Sequence, residues 1–266
     1  MVLFPLSSAS AETGPGKGLS QANPVPAWGA VERQQKCEAK DWWLVTQADH
    51  AILAGDLAAN ISSPLFPKLD PHVVRAIALH DGGWAQFDSD GYADTIKGRP
   101  RSFLEMAPLE FLSAWRDSIS IAENASPQGG IVVSGHFSRL AETRLQAASD
   151  APDDTQRLQS FIANEGERRK RLATIDGCSR EDIEILIIDV LQFCDLLSLY
   201  LCCGAPDNVE FPQRFCDRAI RIFRESEVLR TEPRVFGAGV SLGVQARRYS
   251  ASSDDLKVTT LPFILA

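Results

Sequence analysis

Histidine is scarce in this chain. Only His50, His72, His80 and His136 occur in 266 residues. Several chemistries are excluded by what is missing beside them. None of the six cysteines (Cys37, Cys178, Cys194, Cys202, Cys203, Cys216) forms a CxxC pair, so neither a zinc ribbon nor a dithiol redox site is encoded, and they read as reduced, buried thiols. The one G-x-S-x-G match, Gly239–Gly243 in "GAGVSLG", sits among strand formers with no helix after it and so does not make the strand-to-helix elbow of a Ser-His-Asp hydrolase. There is no Walker A or G-x-G-x-x-G loop either, because the glycines of "GAGVSLG" sit among strand formers with no helix after them. Basic residues are outnumbered, 27 Lys and Arg against 35 Asp and Glu, and the net charge of −8 argues against nucleic acid as the main partner. The opening "MVLFPLSSASAETG" has no basic residue ahead of a very short apolar core and makes a poor secretory signal. The most apolar run, "ILIIDVLQFCDLLSLYLCCG", carries two aspartates and reads as a buried helix, not a membrane span. A cytoplasmic protein without a membrane role is the expectation.

What is present is an ordinary globular composition, 44% hydrophobic and 23% charged. Residues 1–40, rich in Ser, Gly, Pro and Ala, read as a flexible leader. A helix is expected over 47–60, and another starts at Asp70-Pro71 and stops at Gly82–Gly83. "APLEFLSAWRDSISIAENAS" and "DDTQRLQSFIANEGERRKRLATI" are helical. The start of "PQGGIVVSGHFSRLAETRLQAAS" is open between strand and helix. The last long helix opens with a capping pattern at Ser179 and closes at Gly204. After it, "RVFGAGVSLGVQARRYS" and "LKVTTLPFILA" alternate like strands. The expected layout is a mainly α body over 41–204 with a small β-rich segment, 205–266, packed on it or forming an oligomer contact. No internal repeat is visible.

Helical geometry singles out four polar residues. His50 shares a face with Leu53, Ala54 and Leu57, and His80 shares one with Val73 and Ile77. Asp81, one residue beyond a helix end, can aim at the same point. Asp195 is flanked by Leu191, Leu196 and Leu199, and a lone buried carboxylate is costly. One divalent ion would satisfy all four, and imidazole with carboxylate suits Mn, Fe, Zn or Ni better than Ca or Mg. The alternative is a structural core in which these groups satisfy one another.

The order His50, then His80-Asp81, then Asp195 resembles the H…HD…D signature of the HD-domain superfamily of helical, metal-dependent phosphohydrolases and phosphodiesterases. "LVTQADHAILAGDLA", "ALHDGGWAQFD" and "IVVSGHFSRLAE" more closely resemble an uncharacterised bacterial family, the domain of unknown function DUF 3891, over roughly 42–265. The resemblance implies an HD-like helical bundle, with His50, His80, Asp81 and Asp195 as metal ligands. Asp81 and His136 are implied as catalytic groups, His136 serving a second metal or a substrate phosphate unless it is a helix-cap or surface residue. His72 matches nothing and is expected at the surface. Many HD phosphohydrolases keep a basic residue where this chain has Trp84, which could stack on a substrate or simply pack in the core. The loop residues Arg99 and Arg101 could reach a phosphate or stay solvated. Arg168, Arg169, Lys170 and Arg171 read as a charged helix face. The implied function is a metal-dependent hydrolase of a small phosphorylated molecule or nucleotide. The alternative is a metal- or ligand-binding protein without turnover.

Overall fold

The structure, a computed structural model, describes residues 1–6, 23–90, 99–176, 181–206, 208–250 and 257–266. The capping pattern at Ser179 and the centre of the expected leader lie outside them. In chain order the elements are β1 (Val2–Leu6), β2 (Val25–Pro26), α1 (Ala27–Gln35), β3 (Asp41–Val45), α2 (Gln47–Ala59), α3 (Pro71–Leu79) and α4 (Ala85–Asp90). There follow α5 (Pro108–Ala125), α6 (Pro127–Ala147), α7 (Pro152–Asp176), α8 (Glu181–Cys202), β4 (Val209–Phe215), β5 (Arg218–Glu225), β6 (Val228–Glu232), β7 (Val240–Ser250) and β8 (Val258–Leu265).

The eight strands among the described residues join one mixed sheet in the order β1-β3-β7-β8-β6-β5-β4-β2. This corrects the expected mainly α, HD-like bundle with a small β segment: the sheet is a full layer of the fold. Strands β7 and β8 were visible as alternation, while β4, β5 and β6 fall in the segment expected only to be β-rich. The N-terminal strands were not visible, because β1 and β3 are five residues each and owe their place to β7, with Asp41 opposite Ser250 and Val2 opposite Val45. Pairing at such distance leaves no local pattern to read. The described ends of residues 1–40 are likewise structured, as β1, β2 and α1. The free edge of β1 is held by one side chain. Leu3 N–H donates to Gln35 Oε1 (3.0 Å) and Gln35 Nε2 donates to the Leu3 carbonyl (2.9 Å), so a buried carboxamide stands in for a ninth strand.

The helices form the second layer. Helices α1, α2 and α8 lie against the sheet, and α3, α5, α6 and α7 pack beyond them. Helix α8 runs through the centre and touches α1, α2, α3, α6, β1 and β4, which is why its sequence is apolar nearly all round. It is long and apolar enough to cross a bilayer, yet most of that stretch is buried within the fold. The open segment "GGIVVS" is helical, within α6. Ser126 accepts a hydrogen bond from Gly129 N–H and Pro127 stands at the first helical position, and this start overrides the β-branched residues that follow.

Two glycines set how closely helices approach. A Cβ on Gly55 would lie 2.5 Å from Ala78 Cβ, so α2 and α3 touch almost backbone to backbone. A Cβ on Gly83 would fall 2.2 Å from the Ala114 carbonyl, so the turn after α3 sits directly on α5.

Candidate metal centre and its cavity

Four elements deliver the polar residues to one point. Helix α2 starts at a built cap, with Thr46 accepting from Asp49 N–H, which places Gln47 and His50 on the same inward face one turn apart. Helix α3 is capped by Asp70, which accepts from His72 N–H; His72 itself is exposed, as expected. The helix ends at Leu79 with His80 as its C-cap. Asp81 leaves it at φ −114°, ψ 20°, and residues 82–84 make a single 3₁₀ turn. That turn folds Trp84 back over Asp81, whose Oδ1 accepts from the indole N–H at 2.9 Å. Asp195 and Ser198 lie one turn apart on α8, and His136 comes from α6.

The three histidines are almost fully buried, and their rings are stacked edge to face, 5.3 Å from His50 to His80 and 5.4 Å from His80 to His136. The hydrogen bonds settle two tautomers. Ser198 O–H donates to the Asp195 carbonyl (2.8 Å), so its oxygen accepts from His50 Nδ1–H (2.9 Å). His80 Nδ1–H donates to the Ile77 carbonyl (2.7 Å). Each ring is thus fixed through Nδ1, and each Nε2 faces the carboxylates: His50 Nε2 is 2.8 Å from Asp81 Oδ2, and His80 Nε2 is 3.3 Å from Asp195 Oδ1. His80 Nε2 is also 3.8 Å from Asp81 Oδ2, and His136 Nε2 is 3.8 Å from Asp195 Oδ2. One ligand atom each from His50, His80 and Asp195 falls within 4.8 Å of the others.

Two lone-pair atoms 2.8 Å apart, His50 Nε2 and Asp81 Oδ2, need a cation between them, either a proton or a metal ion. Imidazoles anchored through Nδ1 with Nε2 turned inward are the arrangement in which histidine ligates metals. The residues therefore fit a divalent ion. Electrostatics agrees. Burial opposes a charge on His80, but Asp81 and the hydrogen bond to Asp195 outweigh it and push its pKa up to about 9. Burial would raise the Asp195 carboxyl, yet the hydrogen bond from His80 and the three imidazoles bring it down to about 2. Burial prevails at His136 and takes it down to about 4, so that ring is neutral, with its Nδ1 unpartnered.

Asp195 was expected deep in the core. Its side chain is 13% exposed because it looks into a cavity of about 1050 Å³. His50, Asp81, Trp84, His136 and Asp195 all line this space. Its walls include Trp28, Phe103, Met106, Phe111, Trp115, Phe137, Leu140, Leu196 and Leu199, with Gln47, Gln192 and Gln213 among the few uncharged polar groups. Trp84 therefore both packs in the core and holds Asp81, a role that sequence did not suggest.

Arg99 and Arg101 are not brought to the cavity. Arg99 pairs through two bonds with Glu105, and Arg101 with Glu110, fixing the loop before α5. Three members of the basic run on α7 form a charged face, and the fourth does not. Arg168 and Arg171 pair with Glu123, and Lys170 pairs with Glu167. Arg169 turns inward to Ser134 and Ser138 of α6. Ser198 and Gln47 were missed. The signal available for each was spacing, since Ser198 is three residues after Asp195 and Gln47 three before His50.

Fold and site together define a protein of two layers, helices on a sheet, with a buried histidine–aspartate cluster at the floor of a cavity sized for a small molecule. The chain belongs to the family described as Protein of unknown function (DUF3891), whose model matches residues 35–263. No curated protein and no solved structure matches it.

Proposed function

We propose that the protein is a metal-dependent hydrolase of a small molecule, with His50, His80, Asp81 and Asp195 holding a divalent ion of the Mn, Fe, Zn or Ni kind in an HD-type site. The observation that carries this reading is the pair of imidazoles locked through Nδ1 with both Nε2 atoms turned onto carboxylates, at the floor of a cavity. A bound divalent ion supplies a water of lowered pKa and polarises a phosphoryl or carbonyl oxygen. The chain's own residues do the rest. The Trp84 indole fixes one oxygen of Asp81 and leaves the other facing His50. Neutral His136, 3.8 Å from Asp195, has a lone pair that would either accept a proton as general base or ligate a second ion. The apolar walls keep bulk water from the reacting bond.

Metal analysis of the full chain, followed by turnover assays on phosphomonoester, phosphodiester and carboxylester panels, tests the reading. Stoichiometric metal and a turnover that falls by about 10² or more in His136→Gln are expected. A protein that refuses Mn, Fe, Zn and Ni would overturn it. Stoichiometric metal with no turnover on any panel would identify a metal-bearing ligand-binding protein instead.

A further inference from the structure

The cavity has a chemical character of its own, apart from the metal centre at its floor. Its aromatic walls include Trp84, Phe103, Phe111, Trp115 and Phe137. Among the described residues two cations line it, and both are engaged. Arg144 makes two bonds to Asp150 and lies 4.8 Å above the Phe111 ring. Arg214, exposed at the rim, donates to the Asp217 carbonyl. Carboxylates line it too: Glu32 is paired with Lys36 and Asp189 with Arg139, while Asp81 and Asp195 belong to the histidine cluster, so no unpaired cation faces the space among the described residues. A polyphosphate entering here would lose its water without gaining paired cations, a costly exchange. Among the described lining residues Gln47 Oε1, Gln213 Oε1 and His136 Nδ1 lack a hydrogen-bond partner; His136 belongs to the metal centre, and Gln47 is the more deeply buried of the two amides. Gln47 is 1% exposed, its Oε1 has no hydrogen-bond partner, and it lines the cavity one turn from His50. Buried acceptors are rarely left unsatisfied, and those that are call for a missing partner.

We infer that the cavity takes an uncharged small molecule with an aromatic or alicyclic body and one N–H or O–H that donates to Gln47 Oε1. This inference rests on the hydrolase reading for what happens next, but the binding is a property of the cavity alone. The volume matches that of ordinary small-molecule pockets. The hydrogen bond to Gln47 orients the molecule, and the apolar body supplies the affinity.

The probe is N-phenyl-1-naphthylamine, a neutral aromatic molecule with a single N–H, whose fluorescence rises in apolar surroundings. It is titrated into the metal-free full chain, and its displacement by adenosine triphosphate is measured in parallel. Saturable binding is expected, with no displacement by the nucleotide at millimolar concentration. Gln47→Leu should bind about 2- to 10-fold more weakly, the loss of one hydrogen bond, while its thermal midpoint stays level or rises because no native bond is lost. Thr143→Trp changes an exposed cavity-lining residue of α6, and it should weaken binding more than 10-fold by filling the mouth. Displacement by the nucleotide below the probe's own half-saturation would overturn the inference. So would wild-type affinity in both variants, or a Gln47→Leu that loses stability but not affinity. The two readings fail separately. Probe binding in a chain that takes no metal sinks the hydrolase and leaves the cavity. A metal-loaded chain that ignores the probe does the reverse.

Discussion

At the scale of single residues, the centre is built from groups that act through one another. Ser198 fixes His50, the Ile77 carbonyl fixes His80, and Trp84 fixes Asp81. Loss of such outer partners commonly lowers metal affinity 10- to 100-fold. Ser198→Ala and Trp84→Phe should each do so in competition with a chelator dye, while His80→Ala and Asp195→Asn should abolish stoichiometric binding. Proton linkage gives a second expectation, for the metal-free chain. The His80 pKa rises from its ordinary 6.5 to about 9, so its contribution to stability is complete below pH 6.5 and is lost as pH climbs through 9. Asp195 falls from 3.8 to about 2, so its contribution holds above pH 3.8 and disappears as pH drops through 2. Thermal midpoints measured from pH 6 to 10 should therefore decline, and His80→Gln should flatten that decline.

At the scale of elements, closeness of approach decides whether the residues meet. Helices α2 and α3 carry His50 and His80, and they touch at Gly55 and Ala78. Gly55→Ala should cost about 1–3 kcal/mol in urea denaturation, the usual penalty for overpacking, and should weaken metal binding by spreading the two rings. Adding Ala78→Gly removes the Cβ–Cβ clash but leaves the residue-78 Cα 2.9 Å from the new Cβ, so it should recover only part of both. This scale also shows what could be read from sequence and what could not. Inward faces followed from the 3.6-residue period, so His50, His80 and Asp195 were legible, and Asp81 followed from its place just beyond a helix end. The start of α6 was not, because "GGIVVS" satisfies strand and helix patterns alike and only the Ser126-Pro127 cap decides between them. The partners of Arg99 and Arg101 were not legible, because a loop arginine's sequence says nothing of which carboxylate it will meet, here Glu105 and Glu110.

At the scale of the whole molecule, the sheet is the element that the sequence concealed. Strands β7 and β8 alternate visibly, but β1 and β3 become strands through partners far along the chain. The carboxamide of Gln35 completes the edge they form. Gln35→Ala would leave a buried N–H and C=O of Leu3 without partners, at about 1–3 kcal/mol for each group, and would open an edge to other chains. A lower thermal midpoint with concentration-dependent association in gel filtration is the expected result. An unchanged, strictly unassociated elution profile would show the edge to be closed by other means.

The pairing of β3 with β7 also sets a schedule. Residues 41–44 find their neighbours at 247–250. On a ribosome adding about 5–20 residues per second, roughly 10–40 s pass between the emergence of the two strands. Through that interval Trp42 and Leu44, buried in the finished protein, have no seventh strand beside them. The N-terminal segment must therefore be sheltered in the cell by its own pairing of β1 with β3 or by a chaperone, and nascent chains stalled before residue 240 are where that dependence is greatest.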